Sequence, residues 1–141
     1  MKSAPTHLAA KSPFWADLKS PDFARLDLPR SIAVLPVAAI EQHGPHLPLN
    51  VDQALVDGVI AAALPHLQPA LPVFFLPTQS VGFSPEHTAF AGTLTLKADT
   101  VIRLWTELAE SVARSGIKKL VLLNSHGGQV GLLDVDIFVE S

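Results

Sequence analysis

Continuous apolar runs and helical apolar stripes alternate along this chain. Residues 31–39 (SIAVLPVAA) are apolar without a break, the pattern of a strand buried on both faces. Pro36 has no N–H to give a ladder, so it is expected near the strand end or at a bulge. Residues 52–64 place Leu55, Val56, Val59, Ile60 and Ala63 at spacings of three and four. That stripe predicts a helix capped by Asp52 and ended by Pro65. Residues 73–76 (VFFL) predict a second, short strand. A loop with Gly82, Pro85 and Gly92 follows, then a short extended piece at 93–96. Asp99 or Thr100 opens a stronger helix with the stripe Val101, Leu104, Leu108 and Val112, and Gly116 stands where a C-terminal glycine belongs. Residues 119–123 (KLVLL) predict a third buried strand. Ahead of all these, residues 14–26 carry Phe14, Trp15, Leu18, Phe23 and Leu26 around Pro21, which predicts short helical turns packed onto a core. Residues 1–12 are polar and small, and are expected to be loose.

Strands that alternate with helices make βαβ units, hence a mainly parallel sheet with helices on both faces. Such sheets bind ligands outside the carboxyl ends of their strands. Three polar segments fall there. Glu41 and His43 follow the first strand, residues 82–87 follow the second, and His126 follows the third. Parallel strands bring all three to one edge.

Composition narrows the chemistry. The 141 residues suit one domain spanning 1–141, and 48% apolar against 16% charged residues points to a buried, sheet-rich interior. A net charge of −3 with no run of either sign gives no footprint for nucleic acid and no membrane-binding face. No apolar stretch approaches the roughly 20 residues of a membrane span, and Lys11, Pro13 and Asp17 interrupt any secretory-type core. A soluble cytoplasmic protein is the expectation. Without cysteine there are no thiolate sites, so histidine and carboxylate are the strong metal ligands available.

Glu41 and His43 are two apart, so both side chains point the same way if the backbone is extended there. Gly44, Pro45 and Pro48 would bend the following loop, and Asp52 at a helix start can turn back toward them. His126 completes two imidazoles and two carboxylates. A mixed nitrogen and oxygen set suits Zn²⁺, Mn²⁺ or Fe²⁺ better than Ca²⁺. On spacing alone, the same residues also read as loop residues and helix caps, with His126-Gly127-Gly128 as a tight turn.

The run Leu35-Pro36-Val37-Ala38-Ala39-Ile40-Glu41-Gln42-His43-Gly44-Pro45-His46-Leu47-Pro48-Leu49, with Asp52, resembles the first signature of the creatininase (creatinine amidohydrolase) family. Gly82-Phe83-Ser84-Pro85-Glu86-His87 with Phe90-Ala91-Gly92-Thr93, and Asn124-Ser125-His126-Gly127-Gly128-Gln129, resemble its second and third blocks. The resemblance runs from about Trp15 to about Asp134. It implies a three-layer α/β/α fold with a metal site at the sheet edge. It also implies a metal-dependent amidohydrolase cleaving a C–N bond of a cyclic or linear amide, with one or two ions, usually Zn²⁺ or Mn²⁺ and sometimes iron. By position, Glu41 and His43 would bind different ions, Asp52 would bridge them, and His126 would join Glu41. A water held between the ions would attack the amide carbon. Ser84 and His87 would lie beside a small-molecule amide substrate or behind the ligands. His87 as a loop pin and Glu86 as a solvated carboxylate are equally open readings. A homo-oligomer, a hexamer in the family, is implied as well.

Two departures qualify the resemblance. Creatininase carries a Glu two positions after the third-block His, for its second metal, where this chain has Gly128. The family's later His-Ala-Gly-Glu-like block has no counterpart before Ser141, so no catalytic residue is assigned and the fold is expected to be incomplete, with an exposed apolar sheet edge. Residues 135–141 (VDIFVES) suit the expected helix poorly. The competing reading is a non-catalytic or truncated relative that keeps the fold and part of the metal site. A serine esterase needs a Gly-x-Ser-x-Gly elbow, of which residues 82–86 hold only the first half.

Overall fold

The computed structural model describes residues 10–134. Three parallel strands form its sheet: β1 (Ile32–Val37), β2 (Val73–Phe75) and β3 (Leu120–Asn124), in the order β2-β1-β3. Ile32 pairs with Val73 on one side of β1, and Ala33 through Val37 pair with Leu120 through Asn124 on the other. Two helices cross between them, α1 (Val51–Ala63) and α2 (Ala98–Arg114). A short α3 (Val130–Leu133) closes the described chain. Single 3₁₀ turns at Trp15–Asp17 and Ser20–Arg25 are the helical turns expected of residues 14–26.

The two faces of β1 sort its side chains by parity, as a strand must. Ala33, Leu35 and Val37 join Phe74, Trp105, Val101, Val112 and Ile117 on the α2 face. Val34 joins Phe75, Val56 and Ile60 on the α1 face. Helix, sheet and helix make the three layers expected. Gly116 ends α2 with φ of +99°, a conformation that glycine adopts without steric cost.

Pro36 differs from expectation: it is fully buried within the central strand. Even-numbered residues of β1 bond toward β2, through Ile32 N–H to the Pro72 carbonyl and Leu76 N–H to the Val34 carbonyl. At Pro36 that side needs no donor, because β2 has already ended at Phe75. Its carbonyl still accepts from Gln79 N–H at 2.9 Å. Helix α2 starts at Ala98, slightly before Asp99. The piece at 93–96 is reduced to a single antiparallel bridge, Ile40 to Leu94. The stripe of α1 is wider than its buried face: Val56 and Ile60 are buried, whereas Leu55 and Val59 are more than half exposed. In β3, Val121 is 48% exposed. The readings of most of 1–12 as loose and of 135–141 as a poor helix fall outside the described residues.

Candidate metal centre

Beyond β1 the chain turns back on itself, with Glu41 N–H donating to the Leu49 carbonyl at 3.1 Å. That closure starts α1 beside Glu41 and puts Asp52 in its first turn. Asp52 is not the cap expected, since Asn50 holds that position and the Asp52 side chain turns inward instead. Ser125, just past β3, ties the edge together. Its N–H donates to the Val37 carbonyl at 3.1 Å and its hydroxyl to the Asp52 carbonyl at 2.7 Å. The loop after β2 rejoins β1 by a bridge from Val37 to Gln79 and then passes under the edge.

These connections gather Glu41, His43, Asp52 and His126. His126 Nδ1 lies 3.2 Å from Glu41 Oε1 and 3.0 Å from Asp52 Oδ2. His43 Nε2 lies 3.2 Å from Asp52 Oδ1 and 3.8 Å from Glu41 Oε1. Glu41, Asp52 and His126 are 4–5% exposed, as dry as the core, whereas the His43 side chain is 22% exposed.

A backbone carbonyl can only accept, so the one beside His126 sets that ring's tautomer, whereas His43 has an acceptor at each nitrogen, the Glu41 carbonyl and Asp52 Oδ1. His126 Nε2–H donates to the Phe83 carbonyl at 2.9 Å; His43 Nδ1 lies 3.1 Å from the Glu41 carbonyl and Nε2 3.2 Å from Asp52 Oδ1, and a neutral ring donates to one of the two. In the neutral ring this leaves the His126 Nδ1 lone pair facing the two carboxylates, and His43 Nε2 does the same when its proton sits on Nδ1. Metal-binding histidines are oriented in this way, by donating the other ring N–H to a carbonyl. Asp52 Oδ2 is buried with no hydrogen-bond donor, because its 3.0 Å approach to His126 Nδ1 makes no hydrogen bond. A buried acceptor without a donor is costly, and a divalent cation among these lone pairs would satisfy it. Burial pushes the Asp52 carboxyl above its ordinary value; His126 and His43 pull it down, and Glu41 adds a smaller push upward. The donor set therefore fits a divalent ion. Glu41, His43 and Asp52 each offer one ligand atom within 4.8 Å of the others.

Ser84 and His87 both approach the far oxygen of Glu41. The fully buried Ser84 hydroxyl donates to Glu41 Oε2, and His87 Nε2 lies 3.7 Å from it. Ser84 thus holds a carboxylate and has no nucleophile's surroundings. Gln42 was not anticipated. Its Oε1 accepts from Gly44 N–H at 2.9 Å, so its amide nitrogen faces His87 Nδ1, also at 2.9 Å. That contact leaves the His87 proton on Nε2, toward Glu41. Fully buried Gln129 was not anticipated either; its Nε2 donates to Asn124 Oδ1 at 2.9 Å and its Oε1 accepts from Phe83 N–H at 3.3 Å. Both glutamines stand within the signature blocks, but sequence alone does not show which polar neighbours point inward.

A cavity of about 560 Å³ lies elsewhere, at the amino ends of the strands near Pro13, Leu26, Arg30 and Phe74. Its one cation, Arg30, is held by Asp27 and by the Ala70 carbonyl, and no set of ligands converges there. Among the described residues no helix is long and apolar enough to cross a membrane.

A family model described as creatinine amidohydrolase (creatininase) matches residues 16–137. The chain is 33% identical over 127 residues to a mycofactocin precursor peptide peptidase of Mycobacterium tuberculosis, covering 86% of this chain and 50% of that protein. It is 28% identical over 123 residues to a creatinine amidohydrolase of Pseudomonas putida, covering 83% and 46%. A crystal structure of creatinine amidohydrolase superposes with a TM-score of 0.76 at 28% identity, over 88% of this chain and 49% of that one. A manganese creatininase gives a TM-score of 0.76, also at 28% identity, over 87% and 49%. The chain thus spans about half the length of the relatives it matches. With its α/β/α layers, its three blocks and the family match over most of its length, the chain belongs to the creatininase family.

Proposed function

We propose that this chain carries the metal-dependent hydrolytic centre of an amidohydrolase that cleaves a C–N bond of a cyclic or linear amide. The observation that supports this most strongly is the convergence of Asp52 Oδ2, Glu41 Oε1 and His126 Nδ1, with Asp52 Oδ2 otherwise unpartnered. Glu41, His43, Asp52 and His126 would hold one or two divalent ions, Zn²⁺ or Mn²⁺ first. Bound there, such an ion lowers the pKa of water toward neutrality and polarises a carbonyl oxygen. The chain's own residues set the stage for that chemistry. The Phe83 carbonyl holds His126 in the ligating tautomer, and the Glu41 carbonyl can take the Nδ1 proton of His43. Ser84 and His87 keep the Glu41 carboxylate aimed, and His87 is exposed enough to meet a substrate's carbonyl as well. Relatives named as a creatinine amidohydrolase and as a mycofactocin precursor peptide peptidase support trying both small cyclic amides and peptide-like amides as substrates.

The test is a hydrolysis panel of cyclic, linear and peptide-like amides, run with chelated and with Zn²⁺- or Mn²⁺-reloaded protein. Turnover that needs added ion and disappears in Glu41→Ala is the expected result. Ion binding without turnover of any amide would instead favour a relative that keeps the site and has lost the reaction.

A further inference from the structure

We propose that Glu86 is a ligand of this metal centre, occupying space that Gly128 leaves open. The inference rests on the metal reading above and extends its ligand set. Glu86 lies on the turn Pro85–His87, between two residues that both approach Glu41. Its Oε1 is 3.8 Å from His126 Nε2. Glu41, Glu86 and His126 each offer a ligand atom within 4.8 Å of one another, just as Glu41, His43 and Asp52 do. Because the His126 Nε2 proton goes to the Phe83 carbonyl, His126 ligates only through Nδ1, and Glu86 would swing in to join the ion that Nδ1 and Glu41 Oε1 hold.

Gly128 carries the point further. A Cβ at residue 128 would collide with Glu86 Oε1 and stand 2.6 Å from His126 Nε2. Any side chain at 128 would therefore expel the Glu86 carboxylate. The third block offers only backbone here, and the carboxylate in that space arrives from the second block. Glu86 is not needed to set the His126 tautomer, because the Phe83 carbonyl, at 2.9 Å, already takes the Nε2 proton. Its side chain is 43% exposed, so it can turn toward an ion at little cost.

Calorimetric titration of the full chain with Zn²⁺ or Mn²⁺ alone, with elemental analysis of bound ions per chain, tests this. Glu86→Gln keeps the shape and an oxygen for His126 but is a poor ligand. It is expected to lose one ion per chain, or to bind it at least about tenfold more weakly, the minimum usual even for groups one step behind a ligand. Gly128→Ala, which displaces the carboxylate, is expected to lose the same ion. Unchanged stoichiometry and affinity in either variant would overturn the inference. If Glu41→Ala abolishes binding while Glu86→Gln does not alter it, only the role of Glu86 falls. If the wild-type chain binds no divalent ion, the metal reading falls with it.

Discussion

The core under α2 and the polar edge at the strand ends are buried to nearly the same depth, yet they follow opposite rules. Under α2, Leu35, Phe74, Val101 and Trp105 are all but inaccessible and entirely apolar, so each contact adds dispersion and removes apolar surface from water. At the edge, Glu41, Asp52, Ser84, His126 and Gln129 are equally dry and polar. Burial there works against the charged groups, and one oxygen of Asp52 lacks any donor. The core is organised for stability. The edge holds lone pairs together at a cost in stability that a bound cation would remove. Mutations should therefore separate the two regions cleanly.

The largest separation should come from Trp105→Ala. Deleting this ring leaves a cavity in the core and should cost about 3–5 kcal/mol in denaturant unfolding. Ion affinity of the protein that remains folded should be unchanged. Asp52→Ala should do the reverse, weakening Zn²⁺ or Mn²⁺ binding by at least about 100-fold, since even supporting groups behind ligands are worth 10–100-fold. A large fall in ion-free stability in Asp52→Ala would erase the contrast drawn here.

Gly82→Ala couples the regions. A Cβ at Gly82 would strike the Ala38 carbonyl and Gln129 Oε1, neither of which can easily yield. Overpacking of this kind costs about 1–3 kcal/mol, and because Gln129 braces Phe83 and Asn124, ion binding should weaken too. Thermal melts with and without ion would separate the two effects.

The smallest effect should be in pH dependence. Because burial raises the Asp52 pKa in the folded chain, the native state holds that proton more tightly than the unfolded one. The group's unfavourable contribution is absent below the ordinary carboxylate range and complete above the raised folded value. Ion-free stability should thus fall slightly as pH rises through that window, and Asp52→Asn should abolish the fall. Ion affinity should move the other way, weakening on acidification, since the ion needs Asp52 ionised.

Periodicity alone showed much of this architecture. Strands, helices and their alternation put Glu41, His43 and His126 at one edge before any side chain was placed. What it could not show depended on non-local partners. Pro36 is acceptable in the central strand only because β2 stops short. Trp105 carries the α2 core although the stripe as read ran through Leu104 and Leu108, which are only partly buried. Asp52 reads both as a cap and as a residue turning back toward Glu41, and the loop closed by Glu41 and Leu49 puts it in the second place. Glu86 looks like a solvated carboxylate until the space above Gly128 is seen.

An anomalous-difference crystallographic map of the Zn²⁺- or Mn²⁺-loaded chain tests the central claim most directly. The account predicts a peak among Asp52 Oδ2, Glu41 Oε1 and His126 Nδ1, with ligand distances of about 2.0–2.2 Å. A saturated crystal with no peak there, or with ions only at other surfaces, would contradict it.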